Sequence, residues 1–565
     1  MSLFSSIRMG ANALQANQIA MQVVGQNIAN VNTPGYIREE VRLTPAPTQR
    51  QGRLLLGLGV EVEAIVQKLD SFLEGRLRNS VSERVEAETQ ESVYSQLEGL
   101  VGELSDTDLS TDLTNFMTAI NDVLNQPESV SIRNLAVLQG ETLTNSMNRL
   151  SARSIEIRSD LNDRIIDMAG DINRLLTEIK ELNIRIADTE GGDVSASDAV
   201  GLRDQRLNAL QELSKLINIE VKEQPSGEMV VSSGGDFLVF GGIARQVDVV
   251  IDSDRGLAIA NIHIAETDSP INPASGELAG LMTGRDEIVR DFLVQMDDFA
   301  ATMIFEFNKL YSQGQGITGY VDAAAEFAVD DTQLALNQAG LEFTPTNGSF
   351  QVMVHNKKTG QTQTTDIMVD LNGMGKDMTL DDLAGALDNV DGIAAGVTST
   401  RKLTMASESK DLVFYFNGDT SGTLAALGIN TFFKGSTALD ANVSEVIKGD
   451  PAKFAASRGG LGADTENAIE MAAFLDRPIE SRNGDTLAII YDRVTSESTQ
   501  GASIAKSVAE GARVFEETLY GQKLATSGVS LDDEAVRMLS YQRAFQAAAR
   551  YISTLNEMFE LVVTL

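Results

Sequence analysis

The run Leu161-Asn-Asp-Arg-Ile-Ile-Asp-Met-Ala-Gly-Asp-Ile-Asn-Arg-Leu-Leu-Thr-Glu-Ile-Lys-Glu-Leu-Asn-Ile-Arg-Ile186 decides the architecture. Positions 161, 165, 168, 172, 175, 179, 182 and 186 alternate steps of four and three, and all eight are apolar. Only a helix gathers such positions on one side, so the spacing predicts a long helix with one buried seam in a helical bundle. Proline limits its extent, because a ring inside a helix removes a hydrogen bond and collides with the preceding turn. None occurs from Glu128 to Gln224, or from Ile479 to the end. The helix is therefore placed from about Ser129 to Gly191-Gly192, and a second helix, about Ala199 to Ile217, folds back along it.

From Glu220 the period falls to two. Glu220 to Lys222, Met229 to Val231, Phe237 to Phe240, Val247 to Ile251 and Ala258 to Ile264 read as short strands separated by Gly, Ser and Asp turns. Helix returns from about Asp286 to Tyr311. Residues 325–450 read as an α+β insertion, with strands at Phe350 to Val354 and Ile367 to Val369 flanking the turn Asn356 to Gly360. Thr379 and Asp382 have capping-box spacing. After Pro478 the chain is helical again, broken at Ser527-Gly528. The expected fold class is α+β multidomain: long coiled-coil-like terminal α-helices and a helical bundle domain, with inserted β-rich and α+β outer domains. The expected pieces are 1–50 with 520–565 as terminal helices, 51–217 with 283–312 and 455–519 as a discontinuous helical bundle, 218–282 as a β-rich domain, and 313–454 as an α+β insertion.

Composition narrows the function. Of 565 residues, 81 are acidic and 45 basic, a net charge of −36 that repels phosphate backbones and argues against a nucleic-acid binder. There is no Cys and there are two His, His263 and His355, which excludes disulfides, thiolate metal sites and Cys nucleophiles, and zinc motifs needing paired histidines. The longest uncharged stretch, Met9 to Ile37, holds nine Asn or Gln residues, so membrane insertion is not expected. It also lacks the compact apolar run of a secretory signal. Residues 1–50 are net +2 and 529–565 net −2, so the middle carries the whole acidic excess. Nearly neutral ends on an acidic body suggest ends that pack on protein and a body that faces water.

Both ends carry heptads. At the N-terminus they are Leu3, Ile7, Gly10, Leu14, Asn17, Met21, Val24, Ile28 and Val31, and at the C-terminus Leu531, Ala535, Met538, Gln542, Phe545, Ala549, Ile552, Asn556, Phe559 and Val563. Asn17, Gln542 and Asn556 would be seam amides that fix register. A lone terminal helix buries too little to offset the entropy of ordering it, so the termini are expected to be largely disordered in the monomer and to fold on joining neighbouring subunits.

Ala29-Asn-Val-Asn32-Thr-Pro34-Gly35-Tyr36 resembles the N-terminal signature of bacterial flagellar rod and hook axial proteins. Physically it is a helix stopped before Pro34 and a Pro-Gly turn that redirects the chain. Ser527-Gly-Val-Ser-Leu-Asp-Asp-Glu534, followed by Tyr541-Gln-Arg-Ala-Phe-Gln-Ala-Ala-Ala-Arg550, resembles their C-terminal signature. Gly276 to Met282 with Arg285-Asp286-Glu287, Leu202 to Arg206, and Asp419 to Phe433 are similar to the hook-associated members that sit at the hook–filament junction. Arg8 and Gly10 depart from the family, whose helix is richer in apolar residues there.

The resemblance implies a structural component of the flagellum with no catalytic, cofactor or metal site. It implies export, unfolded, through the type III apparatus, so the protein is cytoplasmic before export and extracellular afterwards. It also implies self-assembly, with the hook protein and a second hook–filament junction protein as neighbours and an export chaperone on the C-terminal region. The assembly interface is then expected at Leu3, Ile7, Leu14, Asn17, Met21, Val24, Ile28, Val31, Asn32, Pro34, Gly35 and Tyr36. The C-terminal assembly and chaperone interface falls at Leu531, Met538, Gln542, Phe545, Ala549, Ile552, Asn556 and Phe559. Two other readings stand beside it: another axial component (hook protein or second junction protein), or a secreted monomeric hydrolase.

Signals for chemistry are thin. Gly314-Gln-Gly-Ile-Thr-Gly319 spells G-x-G-x-x-G but follows a helix, not a strand, so the dinucleotide context fails. Asp370 to Asp381 mimics a calcium loop with Met374 at a ligand position, and reads as a plain turn. His263 and His355 alternate out of phase with their apolar neighbours and read as surface strand residues.

Overall fold

The computed structural model describes residues 3–51, 53–102, 108–191, 199–460 and 464–564. Gly192 of the expected helix stop and Leu565 of the expected terminal-helix piece 520–565 lie outside the described residues. The helices in chain order are α1 (Leu3–Ala29), α2 (Ser71–Gly102), α3 (Leu109–Asn125), α4 (Val130–Glu190), α5 (Val200–Leu216), α6 (Glu277–Thr283), α7 (Val289–Tyr311), α8 (Leu380–Asp388), α9 (Thr423–Leu427), α10 (Glu445–Gly449), α11 (Glu466–Ala472), α12 (Leu487–Ser527) and α13 (Leu531–Thr564). With small sheets among them the fold is α+β and multidomain. Two compact units divide the chain: one takes residues up to Val93, Ser159–Glu287 and from Ser503 onward, the other Tyr94–Arg158 and Ile288–Ala502.

In the first unit all eight seam residues of α4 are buried, from Leu161 to Ile186. Helix α5 does fold back: Arg203 makes a two-pronged pair with Glu190 at 2.8 Å, and Arg206 reaches Asn183 at 2.8 Å. The seam is not purely helix against helix. Strands β5 (Glu220–Glu223), β6 (Met229–Ser233), β7 (Asp236–Phe240) and β8 (Ile243–Ala244) form one sheet, and β9 (Val247–Asp254), β10 (Leu257–Ile264) and β11 (Ser269–Pro270) another, once β1–β4 of residues 39–67 are counted first. Three asparagines on α4 hold these strands by their backbones. Asn183 bonds Met229 N–H and C=O, Asn173 bonds Val247 N–H and C=O, and Asn162 accepts from Ala260 N–H, all at 2.7–3.0 Å. Each amide offers a donor and an acceptor, as a neighbouring strand would.

Residues 39–67 were expected among terminal helix and bundle, yet they are strands: β1 (Glu39–Pro45), β2 (Gln49–Gln51), β3 (Leu54–Leu56) and β4 (Val60–Gln67). β1 pairs antiparallel with β4 across a bulge at Arg42/Leu43, and β2 with β3. Glycine also explains the stretch at 276–284. A Cβ on Gly280 would lie 2.7 Å from Thr89, and one on Gly276 2.8 Å from the Leu216 carbonyl, so α6 packs too closely for any side chain there.

In the second unit β13 (Gly348–Asn356) lies between β14 (Thr362–Val369) and β17 (Leu412–Asn417), while β16 (Leu403–Ser407) lies between β12 (Asp322–Ala324) and β15 (Ile393–Val397); β18 (Phe433–Lys434) pairs with β19 (Asn442–Val443). Phe350, Val352, Phe414, Phe416, Leu383 and Leu424 belong to one buried core. Helix α8 starts at the expected capping box, with both the Thr379 and Asp382 side chains engaged. The Gly314–Gly319 loop follows α7, and its glycines make room for backbone: a Cβ on Gly316 would sit 2.6 Å from the Lys453 main chain. His263 bonds Asp268 and His355 bonds Thr362; both are half-buried, on the middle strands β10 and β13 of their sheets.

Candidate functional site

The two ends of the chain meet in the first unit. Helices α1 and α13 run antiparallel, with Phe4 edge-on to Phe559 at 5.6 Å, and Asn27 3.1 Å from Glu534 at the other end. Both termini are thus helical and partnered within the chain, which differs from the expectation of disorder: neither helix stands alone, because each supplies the other's apolar surface.

The register of the pair departs from the expected seams. On α13 the face toward α1 is Glu534, Met538, Tyr541, Phe545, Ala548, Ile552, Leu555 and Phe559, the least exposed residues of the helix. Met538, Phe545, Ile552 and Phe559 of the heptad run lie on this face. Leu531, Gln542, Ala549 and Asn556 do not: they are exposed, so the two amides are not in the seam between α13 and α1. The reason is that Tyr541, Ala548 and Leu555 offer an apolar alternative one residue earlier, which buries no amide. On α1 the buried residues are Ser6, Gly10, Ala16, Ala20, Val23, Val24 and Asn27, a small-residue face. Leu3, Ile7, Leu14, Met21, Ile28 and Val31 are only half-buried on its shoulder. Asn17 bonds its own helix at the Ala13 carbonyl, 2.7 Å, and fixes no partner. Gly10 now has a role, since a Cβ there would stand 2.7 Å from Ile552 Cγ1.

The signature turn closes this end. Thr33 C=O accepts from Tyr36 N–H at 3.2 Å across Pro34-Gly35, and Gly35 has φ +77°, the geometry in which glycine is favoured at the third turn position. A side chain on Gly35 would collide with Asn208 of α5 at 2.2 Å. Asn32, Thr33, Pro34 and Gly35 are exposed and border a cleft of about 690 Å³ shared with Tyr520 and Leu524 of α12.

Behind the turn lies a buried polar knot that the sequence reading did not single out. Asn27 uses every polar atom: Nδ2 donates to Glu39 C=O (2.9 Å) and to Glu534, while Oδ1 accepts from Tyr36 Oη–H (2.8 Å) and Glu39 N–H (3.0 Å). Arg38 donates from Nε to Glu534 Oε1 at 2.8 Å, with both side chains buried. Its backbone N–H bonds the Ser527 carbonyl at 3.1 Å. One knot therefore ties the end of α1, the turn, β1 and the start of α13. The one signal in the sequence is Glu534, which closes the quoted C-terminal signature; Asn27 lies outside both the heptad positions and the N-terminal signature. Beside it, Asp204 of α5 accepts from Gln67 at 2.6 Å and from Ile37 N–H, yet burial and the nearby Glu39 push its pKa up to about 7. Burial and the Glu39 charge likewise raise the Tyr36 phenol, and burial raises the Glu39 carboxyl.

The two ends of the chain are clamped together, and comparison with known proteins shows what such a chain is similar to. Residues 94–326 match the family described as flagellar hook-associated protein FlgK helical domain, residues 521–565 the flagellar basal body rod FlgEFG protein C-terminal family, and residues 7–36 the flagella basal body rod protein family. Flagellar hook-associated protein 1 of Bacillus subtilis is 22 % identical over 574 residues, covering 100 % of this chain and 98 % of that protein. Its counterpart from Salmonella typhimurium is 24 % identical over 603 residues, covering 100 % of both. The solved flagellar hook junction protein FlgK from Burkholderia pseudomallei shares the fold, with TM-score 0.50 and 14 % identity over 80 % of this chain and 100 % of that one. Over its whole length the chain is thus similar to flagellar hook-associated protein 1, and its two ends match flagellar rod protein families. The hook-associated protein family is structural and is not an enzyme family.

Proposed function

We propose that this chain is a structural, non-catalytic component of the bacterial flagellum that joins hook to filament. After type III export it self-assembles through its terminal helices, 1–50 with 520–565. These form the axial core, and the acidic segments, among them 218–282 and 313–454, face outward. Hook protein and a second junction protein are its axial neighbours. Before export a chaperone covers the C-terminal helix. The single observation that carries the reading is the terminal pair: a polar knot locks the two signature segments together, while α13 keeps Leu531, Val536 and Leu539 at 51 %, 67 % and 56 % exposure. Exposed apolar surface of this kind on one helix is a surface for protein contact.

Immunogold labelling of detached flagella, with antibody against the middle of the chain, tests the reading. One label cluster where hook meets filament is the expected result. Label spread along the hook would move the chain to another axial role, and its absence from flagella would overturn the proposal.

A further inference from the structure

The face of α13 turned away from α1 carries a charge pattern that the chain itself does not use. Asp532, Leu539, Arg543, Arg550, Glu557 and Leu561 recur at steps that place them along one side of the helix, opposite Phe545 and Ile552, and all six are exposed. Arg537 is engaged, 3.3 Å from Glu40. Arg543 and Arg550 have no acidic residue three or four places away, and among the described residues no ion pair. Among the described residues Asp532, Glu557 and Glu560 have none either.

The pattern is acidic at 532–533, basic at 543 and 550, and acidic at 557 and 560, so it reads the same from both ends. That symmetry constrains how two copies of the helix can meet. In parallel register Arg543 would face Arg543. In a fully overlapping two-fold antiparallel pair, centred between the two arginines, Arg543 would face Arg550, and Asp533 would face Glu560. Both arrangements stack like charges, which is how an interface is kept from forming. A parallel neighbour displaced by about three turns brings opposite charges together at two places: Asp532 meets Arg543, and Arg550 comes beside Glu560, while Arg543 and Glu557 face the uncharged Thr554 and Gln546. The same displacement lays the Arg550 stem of one copy against Leu561 of the other, so apolar and charged contacts agree. At 1.5 Å per residue the displacement is roughly 16 Å.

We infer that α13 of one copy packs on α13 of a second copy, parallel and displaced by about three turns, through the pairs Asp532–Arg543 and Arg550–Glu560. Two different patches meet in such a contact, so it cannot close as a dimer and instead repeats from copy to copy. The inference rests on the self-assembly proposed above and gives that assembly its register.

The chain has no native cysteine, so crosslinking is clean. The full-length chain with Asp532→Cys and Arg543→Cys, in detached flagella oxidised by copper phenanthroline, should give a ladder of two, three and more copies. Each single variant should stay monomeric. Dimers from Arg543→Cys alone at the yield of the double variant would overturn the displaced register. So would a double variant that gives no adduct while antibody still marks the junction. A charge swap gives a second arm. Arg543→Glu with Arg550→Glu should lower junction labelling by at least about tenfold, and adding Asp532→Arg with Glu560→Arg should restore it. Unchanged labelling in the first variant would overturn the inference and leave the proposed function standing. Absence of the unaltered chain from flagella would overturn both.

Discussion

Two heptad runs in this chain look alike in sequence and end differently. In α4 the eight residues from Leu161 to Ile186 are all buried, none more than 5 % exposed. In α13 only Glu534 and Leu555 of the inner face are fully covered, and Leu539, Met558 and Leu561 stand 56 %, 50 % and 63 % exposed. The first run spends its periodicity inside its own unit, against strands and α5. The second satisfies one face with α1 and leaves the other open. Periodicity announces that a helix has partners; whether they lie in the same chain is decided by how much neighbouring surface the chain can supply.

The first test asks whether the inner face of α13 is fixed by the knot. Glu534→Ala leaves the buried Arg38 guanidinium with only the more exposed Glu40, 3.3 Å away, a loss of up to about 3 kcal/mol. The α1/α13 pair should then open, with amide exchange and trypsin cleavage in residues 531–564 rising sharply. Glu534→Gln keeps the Asn27 bond and should lose less. Unaltered protection in Glu534→Ala would mean that apolar packing alone holds the termini, and the two heptads would then differ in degree only.

A paired substitution sharpens the contrast directly. Ile172→Ala empties a fully buried site on α4 and should cost about 2–5 kcal/mol in denaturant unfolding. Leu539→Ala on the outer face of α13 should change that stability by no more than about 0.5 kcal/mol, while reducing junction labelling. Equal unfolding costs would erase the distinction between the two runs.

What the sequence made legible follows the same division. The α4 seam, the period-two strands after Glu220, the capping box at Thr379 and the break at Ser527-Gly528 are encoded within a few residues of themselves, and all are observed. The register of α13 was half legible. Met538, Phe545, Ile552 and Phe559 belong to either seam, and the choice between Tyr541, Ala548, Leu555 and Gln542, Ala549, Asn556 rests on packing against α1. Strands β1 to β4 were missed because their alternation is faint and their pairing partner lies beyond a hairpin. The knot was invisible as a unit: Asn27 and Glu534 are 507 residues apart, and no local pattern joins them. The signature residues around them nevertheless marked the place.

Gly10 offers a smaller and more local test of the inner face. Gly10→Ala gains about 1 kcal/mol of helix propensity but sets a methyl 2.7 Å from Ile552 Cγ1, beside Tyr551. Overpacking of that kind costs about 1–3 kcal/mol, so the net should be mildly destabilising. Combining it with Ile552→Val should recover part of the loss. A variant more stable than the parent would show that α1 and α13 approach less closely than the small-residue face implies.

The last test concerns Asp204, and its sign can be worked out. Its pKa is pushed up to about 7 by burial and by Glu39, against about 3.9 in an unfolded chain. For a carboxyl raised in this way the folded state binds the proton more tightly. The stabilisation is complete below about pH 4 and is lost as pH climbs through about 7. Asp204→Asn keeps an acceptor for Ile37 N–H and carries no charge beside Glu39, so it should unfold at a higher temperature than the parent at pH 8. The advantage should shrink as pH falls below about 7 and vanish near pH 4, where the parent carboxyl is protonated in both states. Because acidification also relieves the repulsion of a chain at −36, the difference between variant and parent is the readout, not either curve alone. An advantage that does not change with pH would mean that Asp204 stays ionised throughout this window, and that α5 meets the terminal segment as a charged surface, not as a neutral one.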